Sequence, residues 1–93
     1  MQISLSFQQT EEGLFFAHIT RHDAELNSHV RAIGCYESAD GFLAAVHRAE
    51  IDHEIIADFE RATRVATVWP YTVEKAGPHE ISENQAKRLG LGF

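Results

Sequence analysis

From the second residue onward, Ile3, Leu5 and Phe7 alternate with Ser4, Ser6 and Gln8. A period of two predicts a strand with one face buried and the other wet. Thr10-Glu11-Glu12-Gly13 follows as a hairpin loop, with Gly13 free to take the positive φ such loops require. The next run, LFFAHITR from Leu14, is apolar on both faces, with Phe15, Ala17 and Ile19 on one and Leu14 and Phe16 on the other. Such a strand belongs inside a sheet rather than at its edge. The polar residues 22–28 lead to a third strand over 29–37, where Val30, Ala32 and Tyr36 share a side and Gly34 suggests a bulge or a close backbone approach. Three strands with short connections make an antiparallel meander.

The period lengthens after Ser38, a suitable N-cap with Asp40 in the first turn. Phe42, Ala45, Val46 and Ala49 share one helical face; Ile51, Ile55, Phe59 and Ala62 share another, displaced by about a third of a turn. The stripe therefore shifts near Glu50–His53. One continuous helix over 38–62 with a local irregularity is the preferred expectation, because neither glycine nor proline interrupts it there. Residues 64–74, RVATVWPYTVE, alternate again and predict a fourth strand, with Pro70 placing it at an edge or a bulge. Ala76-Gly77-Pro78 reads as a turn. Ser82 and Gln85 then match a capping box, Ile81 and Ala86 a hydrophobic staple, and Gly90 a helix stop. The expected fold is α+β in a single domain over 1–93. It has two layers, a three- to four-stranded mainly antiparallel sheet with one long helix packed on one face, in the order βββαβα.

Ninety-three residues with 44% apolar and 24% charged side chains are enough for one globular core. A single cysteine excludes an internal disulfide framework and fits a reducing compartment. The first ten residues have neither the basic start nor the apolar block of a signal peptide, and no apolar run approaches the ~20 residues of a membrane span. A cytoplasmic protein without membrane association is the expectation. The formal charge of −6 argues against nucleic acid as a partner, since binding to phosphate backbones rests on basic patches. The charge is uneven: residues 38–63 carry two arginines against six acids, whereas residues 64–93 carry four cations against three acids. Protonating all six histidines would raise the formal charge from −6 to zero, so repulsion between copies weakens below the ordinary histidine pKa of about 6.5.

The candidate chemistry is sparse. On a continuous helix His47, Glu50, Glu54 and Asp58 would fall within about 80° of one another, with Arg61 in the same stripe. They would span three turns, too far apart for one metal ion to be held by more than neighbouring pairs. A solvated acidic ridge is the expectation, and these four residues form a possible interaction surface; no metal or other cofactor is expected. The run HRAEIDHE is not a zincin motif, because His47 and His53 stand six apart rather than four. His18 and His22 do stand four apart, but a strand separates them by about 13 Å. Cys35 has nothing nearby in sequence to lower its pKa, so a buried structural cysteine is expected over a nucleophile. Trp69, Tyr71 and Phe93 read as core aromatics. No phosphate-binding glycine loop or nucleophile elbow is present in the sequence.

The βββαβ order, GLFFAHI as the inner strand and IGCYESADGFLAAVHRAE running into the helix resemble HicB-like antitoxin domains. The resemblance covers about a third of the chain, and residues 22–31 make a longer connection than the family has. It implies a small regulator that binds a partner toxin, and no residue role follows from it. The tail ISENQAKRLGLGF is similar to the opening helix of a helix-turn-helix, but no recognition helix follows it in the sequence. The functional expectation is a small non-enzymatic protein-binding or regulatory module, meeting a protein partner or its own copy through the acidic helix or an exposed strand edge. The alternatives are the antitoxin-type regulator and a ligand-binding protein or enzyme using histidine with Cys35.

Overall fold

A computed structural model describes residues 2–10, 12–25, 28–68 and 74–90. The alternation at the start of the chain forms β1 (Gln2–Gln9), in which every second residue from Ile3 to Gln9 is buried. Thr10 N–H donates to Leu14 O at 2.9 Å and Gly13 takes φ 83°, turning the chain into β2 (Phe15–Asp23). β3 (Ser28–Tyr36) pairs with the far side of β2. β4 (Glu74–Ile81) pairs with β1, so the sheet is antiparallel throughout in the order β3-β2-β1-β4. The doubly apolar run is therefore an inner strand, as its pattern predicts.

Two helices stand where one was expected, α1 (Ala39–Arg48) and α2 (His53–Val68), followed by the short α3 (Glu83–Arg88). The α+β architecture holds, with the helical element split, giving βββααβα. The break falls at the shift in the apolar stripe. Ala49 caps α1, Glu50 takes the left-handed φ of 57°, Glu50 N–H donates to His47 O at 3.0 Å and Ile51 N–H to Val46 O at 3.2 Å. These are the two bonds of a Schellman stop, and Val46 and Ile51, the apolar pair that accompanies it, are both buried. The chain needs no glycine to end the helix because the new apolar face starting at Ile51 rewards the turn. α2 then begins with Ile55 and Ile56 N–H both donating to Asp52 O.

The expected fourth strand is also displaced. Arg64–Val68 continues α2, since Ile55, Phe59, Ala62 and Ala66 form one helical stripe that outweighs the alternation of Val65 and Thr67. Thr63 and Thr67 hydroxyls donate back to Phe59 O and Thr63 O within the helix. Residues 69–73, with Trp69, Pro70 and Tyr71, and Phe93 lie outside the described residues. The presumed turn Ala76-Gly77-Pro78 lies inside β4. Leu5 faces His79 and Phe7 faces Ala76, so three steps on β4 match two on β1, a bulge on an edge strand that can accept a proline. Gly77 sits there at φ 90°, and a Cβ would come within 2.8 Å of Leu5 O.

The core lies between one face of the sheet and the helices. Ile3, Leu5, Phe7, Phe15, Ala17 and Ile19 meet Phe42, Val46, Ile56, Phe59 and Ala62. Phe42 is the hub: its ring centroid lies 4.9 Å from Phe7, 5.3 Å from Phe59 and 5.7 Å from Tyr36. α3 seals the α1–α2 junction. Its capping box is complete, with Ser82 N–H donating to Gln85 Oε1 and Gln85 N–H to Ser82 Oγ. Gln85 Nε2 donates to Glu50 O at 2.9 Å, and Arg88 pairs with the Glu50 carboxylate. Among the described residues no helix is long and apolar enough to cross a membrane.

Candidate functional site

The helix break divides the expected acidic ridge. His47 lies on α1, Glu50 in the turn, and Glu54 and Asp58 on α2. His47 is exposed, with Nε2 3.9 Å from Glu60 Oε1. Glu50 is engaged by Arg88, and Glu54 is exposed in the first turn of α2. Asp58 is half-buried and points toward β4. Its Oδ1 accepts from Arg61 Nη2 at 2.7 Å and its Oδ2 lies 2.8 Å from His79 Nε2. Hydrogen bonding from His79, and then from Arg61, holds the Asp58 carboxyl below the usual carboxylate range. Arg61 Nη1 also stands 3.9 Å from Glu74, at the start of β4. Asp58 is thus a tie between α2 and β4. A hollow at the helix junction is lined by His47 and Glu50 of the expected ridge together with Asp52 and His53; Glu54 lies outside it. Among the described residues no group of three histidine, cysteine or carboxylate side chains is placed to hold a metal ion.

The sheet contributes two surfaces, an exposed strand edge that the sequence expected without placing and an open face that it did not single out. One is the outer edge of β3. This strand is nine residues long and has a sheet neighbour on one side only among the described residues. Val30 on its helix-side face is 52% exposed and Ile33 on the opposite face 58%. Of the devices that protect edges, its described residues carry one charged side chain, Arg31, and neither a proline nor a register shift against β2. The other edge, β4, is blunted by the bulge at Gly77-Pro78 and carries Lys75 and Glu80. Val30 and Ile33 were visible in the sequence, but only the strand order shows that no other described strand pairs with the outer side of the segment joining them.

The second surface is the sheet face turned away from the helices, bearing Phe16, His18, Thr20 and His22 of β2 beside Cys35, Ile33, Arg31 and His29 of β3. Cys35 is exposed there, opposite Phe16, which corrects the expectation of a buried cysteine. Strand parity sets this: Gly34 and Tyr36 take the inward positions. His22 and His29 stack at a centroid distance of 4.3 Å across the strands. His18 is half-buried, and burial, then the nearby Arg31 and Lys75 charges, push its pKa below the ordinary value. No family model, curated protein or solved structure matches this chain, so no residue role is carried in from a relative.

Proposed function

We propose that this protein is a small non-enzymatic binding or regulatory module, which adds an extended segment of a protein partner, or of its own copy, to the free edge of β3. The observation that carries this reading is the nine-residue edge strand with Val30 and Ile33 both more than half exposed. Unpaired backbone N–H and C=O groups along such an edge supply affinity to an added strand, and alternate side chains supply specificity. The test is the double variant Val30→Lys/Ile33→Lys, which keeps the exposed strand but places charge on both faces of the edge. Sedimentation of the purified chain and co-purification with a partner are compared with the parent protein. Loss of association with an unchanged circular dichroism spectrum is expected. Association that survives in this variant would refute the edge reading.

A second reading places the contact on the acidic helical layer, where His47 and Glu50 line the junction hollow and Glu54 is exposed in the first turn of α2. Asp58 contributes less there, because its carboxylate is engaged by Arg61 and His79. Charge reversal at Glu50 and Glu54 abolishes binding under this reading and leaves it intact under the first.

A further inference from the structure

The two layers of the molecule differ in charge. Asp40, Glu50, Asp52, Glu54 and Glu60 are exposed on the helical side. On the opposite side, Ser6, His18, Thr20, Arg31, Lys75 and Gly77 line a hollow of about 350 Å³ that runs diagonally across all four strands. Their convergence follows from register. Ser6 faces His18 and Thr20 faces Arg31, which puts the four on one face of the sheet. Lys75 faces Gln8 on the same side, one alternate position along β1 from Ser6. The bulge leaves one flank without a side chain, since Gly77 has no Cβ and its backbone conformation there excludes one.

Arg31 and Lys75 each lack a carboxylate within 4.0 Å among the described residues. Among the described strand residues the acid on this face is Glu80, which faces Ser4 on β1 and makes no ion pair with Arg31 or Lys75 within 4.0 Å. His18 lies between these cations, and its pKa is lowered first by burial and then by the Arg31 and Lys75 charges.

We propose that this hollow is a binding site for a small oxyanion, a phosphate- or carboxylate-bearing molecule. Arg31 supplies a forked donor, Lys75 a mobile charge from the far strand, and the Ser6 and Thr20 hydroxyls supply neutral donors between them. A concavity of this size is at the small end of ligand sites, matching a compact molecule rather than a polymer. The net charge of −6 and the acidic helical layer oppose a long polyanion. This site does not depend on strand addition at the β3 edge, because its side chains rise from the sheet face.

The experiment is a ¹H–¹⁵N NMR titration of the whole chain at fixed ionic strength, once with inorganic phosphate and once with citrate, with sodium chloride as control. Saturable shifts at Ser6, His18, Thr20, Arg31 and Gly77 are expected with one of the two anions, which identifies the source of the charge. Arg31→Gln and Lys75→Gln are each expected to weaken that binding about tenfold, the loss of one charge-assisted hydrogen bond. Both side chains are exposed, so the remaining spectrum should keep its native dispersion. Occupancy should also raise the pKa of His18, followed through its ring resonances, an effect that a purely structural arginine or lysine would not produce. The proposal is overturned if neither anion gives saturable shifts, if chloride reproduces them, or if the double variant Arg31→Gln/Lys75→Gln binds as tightly as the parent.

Discussion

Glu50→Gly should be more stable than Glu50→Ala, although both remove the same ion pair. Glu50 holds φ at 57° in the turn that stops α1. That conformation costs an L-residue about 1–2 kcal/mol, whereas glycine adopts it freely. Glycine loses more entropy on folding, which takes back about 0.5–1 kcal/mol. The net difference between the two variants is then about 1 kcal/mol in favour of glycine. The carboxylate pair with Arg88 cancels in the comparison, and it is small in any case. Its side chains are 72% and 50% exposed, which places it within ~0–1 kcal/mol. Arg88→Gln measures it separately. Urea unfolding followed by far-ultraviolet circular dichroism, with equal slopes for the variants, gives the free energies. For a domain of this size ~1 kcal/mol moves the midpoint of thermal unfolding by about 4–8 °C. Equal stability of the two variants, or a more stable alanine variant, would refute the Schellman stop at Glu50.

Phe42→Ala should cost about 3–5 kcal/mol, most of the stability of a small domain, because three aromatic rings pack on it and none of its surface is exposed. Phe42→Leu should cost under about 1.5 kcal/mol, and equal losses by calorimetry would show that the hub is misplaced. Gly77→Ala should lower stability by about 2 kcal/mol or more, since the new Cβ meets a backbone oxygen at 2.8 Å in a left-handed conformation; an unchanged melting curve would contradict the bulge. Asp58 has a folded carboxyl pKa held below its ordinary 3.8, so its contribution is complete above the unfolded value and is lost as pH falls through the folded one. The parent should therefore lose stability more steeply than Asp58→Asn between about pH 5 and pH 2, and parallel curves would remove the tie to His79 and Arg61.

Much of the architecture was legible along the chain. Ile3, Leu5 and Phe7 show their strand without help, because a period of two with one apolar face has few other homes. LFFAHITR announces an inner position for the same reason, and Ser82 with Gln85 defines the start of α3 through bonds between neighbours in sequence. The shift of the apolar stripe at Glu50–His53 marked the position of an irregularity, although one continuous helix was the preferred expectation and two are present. What it did not show was how the break would be made, since Glu50 is not the residue that a left-handed stop favours. Burial of Ile51 decided that, and burial is a property of the assembled core.

The fourth strand escaped for a related reason. Val65 and Thr67 alternate as a strand would, yet Ala62 and Ala66 fit against the sheet and keep α2 running. Pro78 and Gly77 look like a turn until β1 offers a partner strand with a bulge to receive them. The candidate surfaces depended most on tertiary structure. The free edge exists because β3 is last in the strand order. The hollow exists because residues from Ser6 to Gly77 meet on one face of the sheet. Local spacing along the chain determines secondary structure and caps. Among the described residues, which edge lacks a second strand and which cations lack a nearby carboxylate depend on register between strands far apart in sequence, and only the folded chain sets that register.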